Sequence, residues 1–230
     1  MTAPSSHVRF PKRTTGEIAL GGVCWILTLE FFAGQVVAQM AWRTPYSLID
    51  NPISDLGSTS CQYRLGVHDT YICSPWYIVM NVSFILTGAL FLLGLYLTRH
   101  AWPRRRLTTW GFVFICLAGL GKIVVGFAPE NVNHVLHDFG GLGIVWGNIG
   151  MVLLGFAIWQ ARRWAAGLSL LLGGLGLVGV LLFFGATHGQ ALGAAERLAD
   201  YPVILWMVAL GSAFLVWRRE SLRQTKMGAN

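Results

Sequence analysis

Three short stretches of this chain hold most of the side chains able to bind a ligand or exchange a proton. The first is Asp50-Asn51-Pro52-Ile53-Ser54-Asp55-Leu56-Gly57. Asp, Asn and Ser hydrogen-bond to nearby backbone, so the run reads first as a capped turn. If Asp55 points into a cleft, it becomes a ligand or a base, with Asn51 and Ser54 as binding groups beside it. The second stretch is Gly126-Phe127-Ala128-Pro129-Glu130-Asn131, followed by His134, His137 and Asp138. His134 and Asp138 are four apart and share one side of a helix. A His beside a carboxylate can act as a general base or hold a metal, or it can simply cap an interface. Glu130 and Asn131 are candidate binding groups next to it. The third stretch is His188-Gly189, then Gly193, Glu196-Arg197 and Asp200-Tyr201-Pro202. The planar fork of Arg197 suits an anionic headgroup or a phosphate, with Glu196 beside it. An internal ion-pair network with Glu196 and Asp200 is the alternative. One reaction fits these groups, a hydrolysis with His134 as base and Asp55 or Asp138 orienting it or holding a metal. No P-loop, GxSxG motif or structural zinc spacing occurs, and no nucleophile is evident. The cofactor and the metal are left open.

The elements that must position these groups are membrane spans. Only 12% of the residues are charged and the mean hydropathy is +0.56. A soluble domain carries about 25% charged residues. A bilayer core needs about 20 apolar residues per helix. Six stretches supply them: residues 18–42, 76–98, 108–127, 139–159, 165–186 and 201–217. The expected fold is all-α, a single polytopic bundle of six transmembrane helices filling residues 1–230, with a long connector at 43–75.

Charge gives the orientation. Arg9, Lys12 and Arg13 precede span one. Arg99, Arg104, Arg105 and Arg106 link spans two and three. Arg162 and Arg163 link spans four and five, and Arg218, Arg219, Arg223 and Lys226 follow span six. These are thirteen of the 17 basic residues, all on one side if the spans alternate. The positive-inside rule makes that side cytoplasmic, so both termini are expected inside a plasma or inner membrane. The same clustering explains the net charge of +7 without nucleic acid. The apolar run after the polar residues 1–15 is too long for a signal peptide and reads as an uncleaved span. Seven of the ten acidic residues, including Asp50, Asp69, Glu130 and Asp200, fall in or beside the opposite connectors.

Two charges lie within spans, Glu30 and Lys122. Such residues usually face the interior and pair, and a Glu30–Lys122 contact is possible if spans one and three touch. Glu30 could instead serve a proton path. Cys61 and Cys73 both fall in the 43–75 connector, which also holds Gly66. Outside the cytoplasm they are expected to be bonded rather than free. Closing so short a loop is worth about 3 kcal/mol in the chain-entropy model.

Asn51-Pro52-Ile53-Ser54-Asp55-Leu56-Gly57 resembles the N-x-I-S-D-L-G signature of the membrane family called domain of unknown function 998. Residues 126–131 with His134 resemble its G-x-F-P-E-N…H segment. Gly193, Glu196-Arg197, Tyr201-Pro202 and Trp206 resemble its G-x-x-E-R…Y-P…W segment. The chain departs from the pattern at Pro52, where Thr is common, and at Ala128, inserted before Pro129. The resemblance implies a six-helix bacterial or archaeal membrane protein and brings no established activity. If the three segments meet at the outer mouth, they form a polar site above an apolar groove. That site would bind or move a membrane lipid or amphiphilic small molecule, or scaffold an envelope partner. A membrane-embedded hydrolase acting on a lipid-like substrate is the alternative.

Overall fold

The computed structural model describes residues 12–64, 70–185 and 191–227. Arg9, Gly66, Asp69, His188 and Gly189, named above, lie outside them. Six helices are long and apolar enough to cross a membrane, at Thr15–Met40, Tyr77–Ala101, Arg106–Phe127, His134–Ile158, Arg163–Gly185 and Leu192–Arg219. The protein is a multi-pass, all-α membrane bundle.

Span one is two helices, α1 (Lys12–Leu27) and α2 (Glu30–Met40). At the joint Thr28 Oγ1 donates to the carbonyl of Trp25 at 2.6 Å, and the backbone switches to i→i+3 bonds, Thr28 to Trp25 and Leu29 to Ile26. A Thr that bonds back in this way competes with the helical ladder and breaks it. Spans two and three are the unbroken helices α3 (Tyr77–Thr98) and α4 (Arg106–Phe127). Span four is α5 (His134–Gly141) followed by α6 (Gly143–Ile158). Spans five and six are α7 (Arg163–Gly185) and α8 (Leu192–Met227).

α8 differs from expectation. Residues 192–200, expected as part of the connector before span six, are helical. Arg197 and Asp200 are buried, Glu196 is half-buried, and all three have partners inside the protein, so helix costs them little solvation that a loop would keep. Pro202 removes the N–H that would have bonded the carbonyl of Leu198. Gly179 of α7 lies flat against that turn, where a Cβ would strike the backbone of Leu198 and Ala199.

The spans pack in chain order and close into a ring. α1 lies on α3, α3 on α4, α4 on α6, α6 on α7, α7 on α8, and α8 returns to α1. The closing contact is close enough that a Cβ at Gly22 would meet the carbonyl of Gly211, and the reverse also holds. Small residues of this kind let membrane helices approach where no hydrophobic force drives them together. One half of the core is aromatic: Trp25 and Trp206 are fully buried with ring centroids 5.6 Å apart, and the Trp206 indole N–H donates to Ser169 Oγ at 2.7 Å. The outer surface is apolar, with Leu181, Leu171 and Ile78 all strongly exposed, as a lipid-facing wall requires.

At the end away from the arginine clusters, residues 41–64 and 70–76 fold over the bundle. A 3-10 turn spans Ser54–Gly57. A hairpin of β1 (Gln62–Arg64) and β2 (Thr70–Ile72) pairs antiparallel, with Tyr63 opposite Tyr71. The Cys61–Cys73 disulfide closes the base of this hairpin.

Candidate functional site

The connector is held by side chains from the other two polar stretches. Asn51 Oδ1 accepts the Ser47 N–H at 2.8 Å, which makes a tight turn and leaves the Asn51 carbonyl pointing at α8. There Arg197 Nη1 donates to the carbonyls of Asn51 (2.9 Å), Gly193 (2.9 Å) and Leu48 (3.1 Å). Its Nη2 donates to the Tyr46 hydroxyl at 2.7 Å, and that hydroxyl donates on to the Pro52 carbonyl at 3.0 Å. Burial pushes the Tyr46 pKa up, against the opposing pull of the Arg197 charge, so the hydroxyl keeps its proton. Glu196 Oε2 accepts the Ile53 N–H in a short bond. Gly193 is required here, since a Cβ would strike the Asn51 backbone.

The second stretch grips the other side of the same turn. Asn131 Oδ1 accepts from Thr59 N–H at 3.0 Å, and its Nδ2 donates to Thr59 Oγ1 at 2.9 Å and Ser60 Oγ at 3.0 Å. Ser54 Oγ donates to Glu130 Oε2 at 3.4 Å, and Asn81 of α3 donates to the Gly57 carbonyl at 3.0 Å. The three polar stretches therefore meet, with the connector between them.

Beneath this roof lies a cavity of about 470 Å³, framed by α3, α4, α5, α6, α7 and α8. Ligand pockets commonly enclose about 300–1,000 Å³. Its polar wall carries Ser54, Glu130, His137, Glu196 and the pair Lys122–Asp200. Its depth is apolar, with Phe84 and Phe91 from α3 and Val203 from α8. Phe84 and Phe91 are seven residues apart on one helix, about 10 Å along its axis. The lining reaches Phe139 of α5 and Phe184 of α7, which are 72% and 60% exposed, so the cavity meets the flank of the bundle between those two helices.

Lys122 is buried within the bundle. Its Nζ sits 2.7 and 2.8 Å from the two carboxylate oxygens of Asp200, and 4.2 Å over the Phe31 ring. Glu30, the partner considered from sequence, is held elsewhere: it accepts the hydroxyls of Ser83 at 2.8 Å and Thr87 at 2.6 Å. Span one packs on spans two and six, so Glu30 meets α3 first.

The other expected residues divide. Glu196, Glu130, Ser54 and Asp138 line the cavity. Asp55, His134, Asn131 and Glu130 line a smaller polar pocket of about 160 Å³ next to the hairpin. His134 Nε2 and Asp138 Oδ2 lie 3.1 Å apart, both well exposed. Arg197 and Asn51 line neither, and their polar groups bond the connector. His137 and Asp200 were not singled out as site residues from sequence. His137 is buried, with Nδ1 2.9 Å from the Ala128 carbonyl. The signal for Asp200 was its spacing of four from Glu196, which puts both on one face once the segment is helical. Among the described residues no three His, Cys, Asp or Glu side chains gather closely enough to hold a metal ion.

The family model described as protein of unknown function (DUF998) matches residues 26–213. The chain belongs to this family. The match runs from α1 to α8 and includes all three polar stretches, both pockets and the disulfide-closed hairpin. Searches of curated proteins and of solved structures find no match to it.

Proposed function

We propose that this family member holds or passes on a lipid-like amphiphile at the extracytoplasmic face of a plasma or inner membrane, with both termini in the cytoplasm. One observation carries the reading. The cavity joins a polar wall under the roof to an apolar depth, and it meets the lipid-facing flank between α5 and α7. An amphiphile moving sideways from the leaflet would keep its chain in contact with apolar surface while its head reached Ser54, Glu130 and Glu196. The orientation is supported by the arginine clusters at the opposite end.

Native mass spectrometry of the protein extracted in mild detergent tests this. Wild type should retain a lipid-mass adduct. Ala118→Phe fills the deep part of the cavity from α4 and should lose the adduct while the protein stays folded. Equal retention by the two would rule the cavity out.

The smaller pocket favours a second reading. Asp55 and His134 line it together, and Asp138 pairs with His134. That is the arrangement a hydrolase would use, with His134 as the base. Conversion of a retained lipid by wild type, lost in His134→Ala, would move the assignment to an enzyme.

A further inference from the structure

Glu30 lies inside span one, about 15 Å along the helix axis from Met40 at its end. A carboxylate at such a depth is costly, and a partner or a proton removes the cost. Both of its oxygens take hydroxyls from α3: Ser83 Oγ donates to Oε2 at 2.8 Å and Thr87 Oγ1 to Oε1 at 2.6 Å. Elsewhere in the bundle such hydroxyls bond back to their own helix, as Thr98 does to the Gly94 carbonyl and Ser169 to that of Ala165. Ser83 and Thr87 are directed instead at a carboxyl from another helix. A hydroxyl both donates and accepts. The pair therefore serves either state of Glu30: both donate to the carboxylate, and one turns over to accept from the acid while the other keeps donating. A lysine or arginine in their place would fit the carboxylate alone.

The surroundings suit a site for a small ion. Gly34, one turn further along α2, keeps the approach close, since a Cβ there would stand 2.8 Å from Ser83 Oγ. The break at Thr28–Leu29 comes just before Glu30, and interrupted membrane helices place ion sites at the interruption. The carboxyl is half-buried, and its neighbours Leu27 and Leu29 are exposed on the lipid-facing wall. The charge that reaches it from another element is Lys122 of α4, which sits over the Phe31 ring and is held by Asp200 of α8. Tyr201 of α8 donates to Gln35 of α2 at 2.7 Å. The turn at Ser54–Gly57, which also packs on α2, carries Asp55, which lines the pocket beside the hairpin.

We propose that Glu30, Ser83 and Thr87 form an intramembrane proton-binding site, which takes up and releases a proton while α2 and α3 stay bonded. On uptake an O–H bond forms at one Glu30 oxygen, the proton comes from water, and the charge at that depth is cancelled. Release reverses the step. The three residues lie outside the lining of the cavity, so the site does not depend on the amphiphile reading.

Difference infrared spectroscopy of the full-length protein in nanodiscs, between about pH 5 and about pH 10, tests the proposal. A carbonyl stretch of a protonated carboxyl should appear at the low end, vanish at the high end and return on re-acidification. Glu30→Gln keeps both hydroxyls bonded and should lose that component. Ser83→Ala and Thr87→Val each remove a donor and should shift it to higher frequency. Dicyclohexylcarbodiimide, a lipid-soluble reagent for protonated carboxyls, should modify wild-type Glu30 at the low end and not at the high end, read by peptide mass spectrometry; this keeps the question decidable if Glu30→Gln fails to fold. A spectrum that Glu30→Gln leaves unchanged would overturn the proposal. Equal modification of Glu30 at both ends would overturn it too, by showing a carboxyl that never releases its proton.

Discussion

Lys122 and Asp200 show how this bundle tolerates a charge at membrane depth. Each alone would be a poorly solvated ion, and together they form a short, nearly water-free pair. Removing one partner of such a pair costs about 3 to 5 kcal/mol, whereas replacing both with apolar residues of similar volume is often neutral. Lys122→Met should therefore lower thermal stability in detergent strongly. Lys122→Met combined with Asp200→Leu should recover most of the loss. A double variant no more stable than the single one would show that the pair is not the source of the effect. Arg197 is a different case. Its bonds run to backbone carbonyls and a hydroxyl, so its charge serves to fasten the connector, and lysine could not reproduce the fork.

Among the elements, the disulfide-closed hairpin and the head of α8 decide whether the roof exists. The hairpin is joined at its base by Cys61–Cys73, while residues 51–57 are held by α8 and α3. Cys61→Ser with Cys73→Ser should cost about 3 kcal/mol of local stability in the chain-entropy model. Hydrogen exchange should then rise across 58–74 and stay slow at 51–57. Fast exchange in both would mean that the disulfide, and not Arg197, holds the roof. The same elements show what could be read from sequence. Each span was visible as an apolar run bounded by arginines, because membrane helices face lipid and cannot hide their composition. The bonding of Cys61 to Cys73 followed from their shared connector. The break at Thr28–Leu29 was not legible, since Thr is common within membrane helices and only its bond to Trp25 reveals the turn. The first two turns of α8 were misread because hydropathy treats Glu196, Arg197 and Asp200 as solvent-seeking. Their partners come from residues far away in the chain, and no local window contains them. For the same reason the polar stretches could be placed at one end of the bundle, while the pairing of Asp200 with Lys122 and the burial of His137 were not legible.

For the whole molecule, the cavity is a property of five of the six spans, with span one closing the ring outside its lining. α3 and α4 give its depth, α5 and α7 its flank, and α8 its acidic wall. The proposed orientation gives a direct prediction. A fluorescent-protein fusion after Met227 should fold and fluoresce, and an alkaline phosphatase fusion at the same position should be inactive; the opposite pair of results would invert the topology. The fastening of the connector to α8 also has a consequence for biogenesis. Asn51 is synthesised 146 residues before Arg197, the side chain that receives its carbonyl. At about 5–20 residues per second, that interval is about 7 to 30 seconds. Throughout it, the segment that will cover the cavity has been made and its anchoring partner has not. A ribosome that stalls before span six would leave a five-span intermediate with Lys122 lacking its counter-ion and the apolar depth of the cavity uncovered on its α8 side.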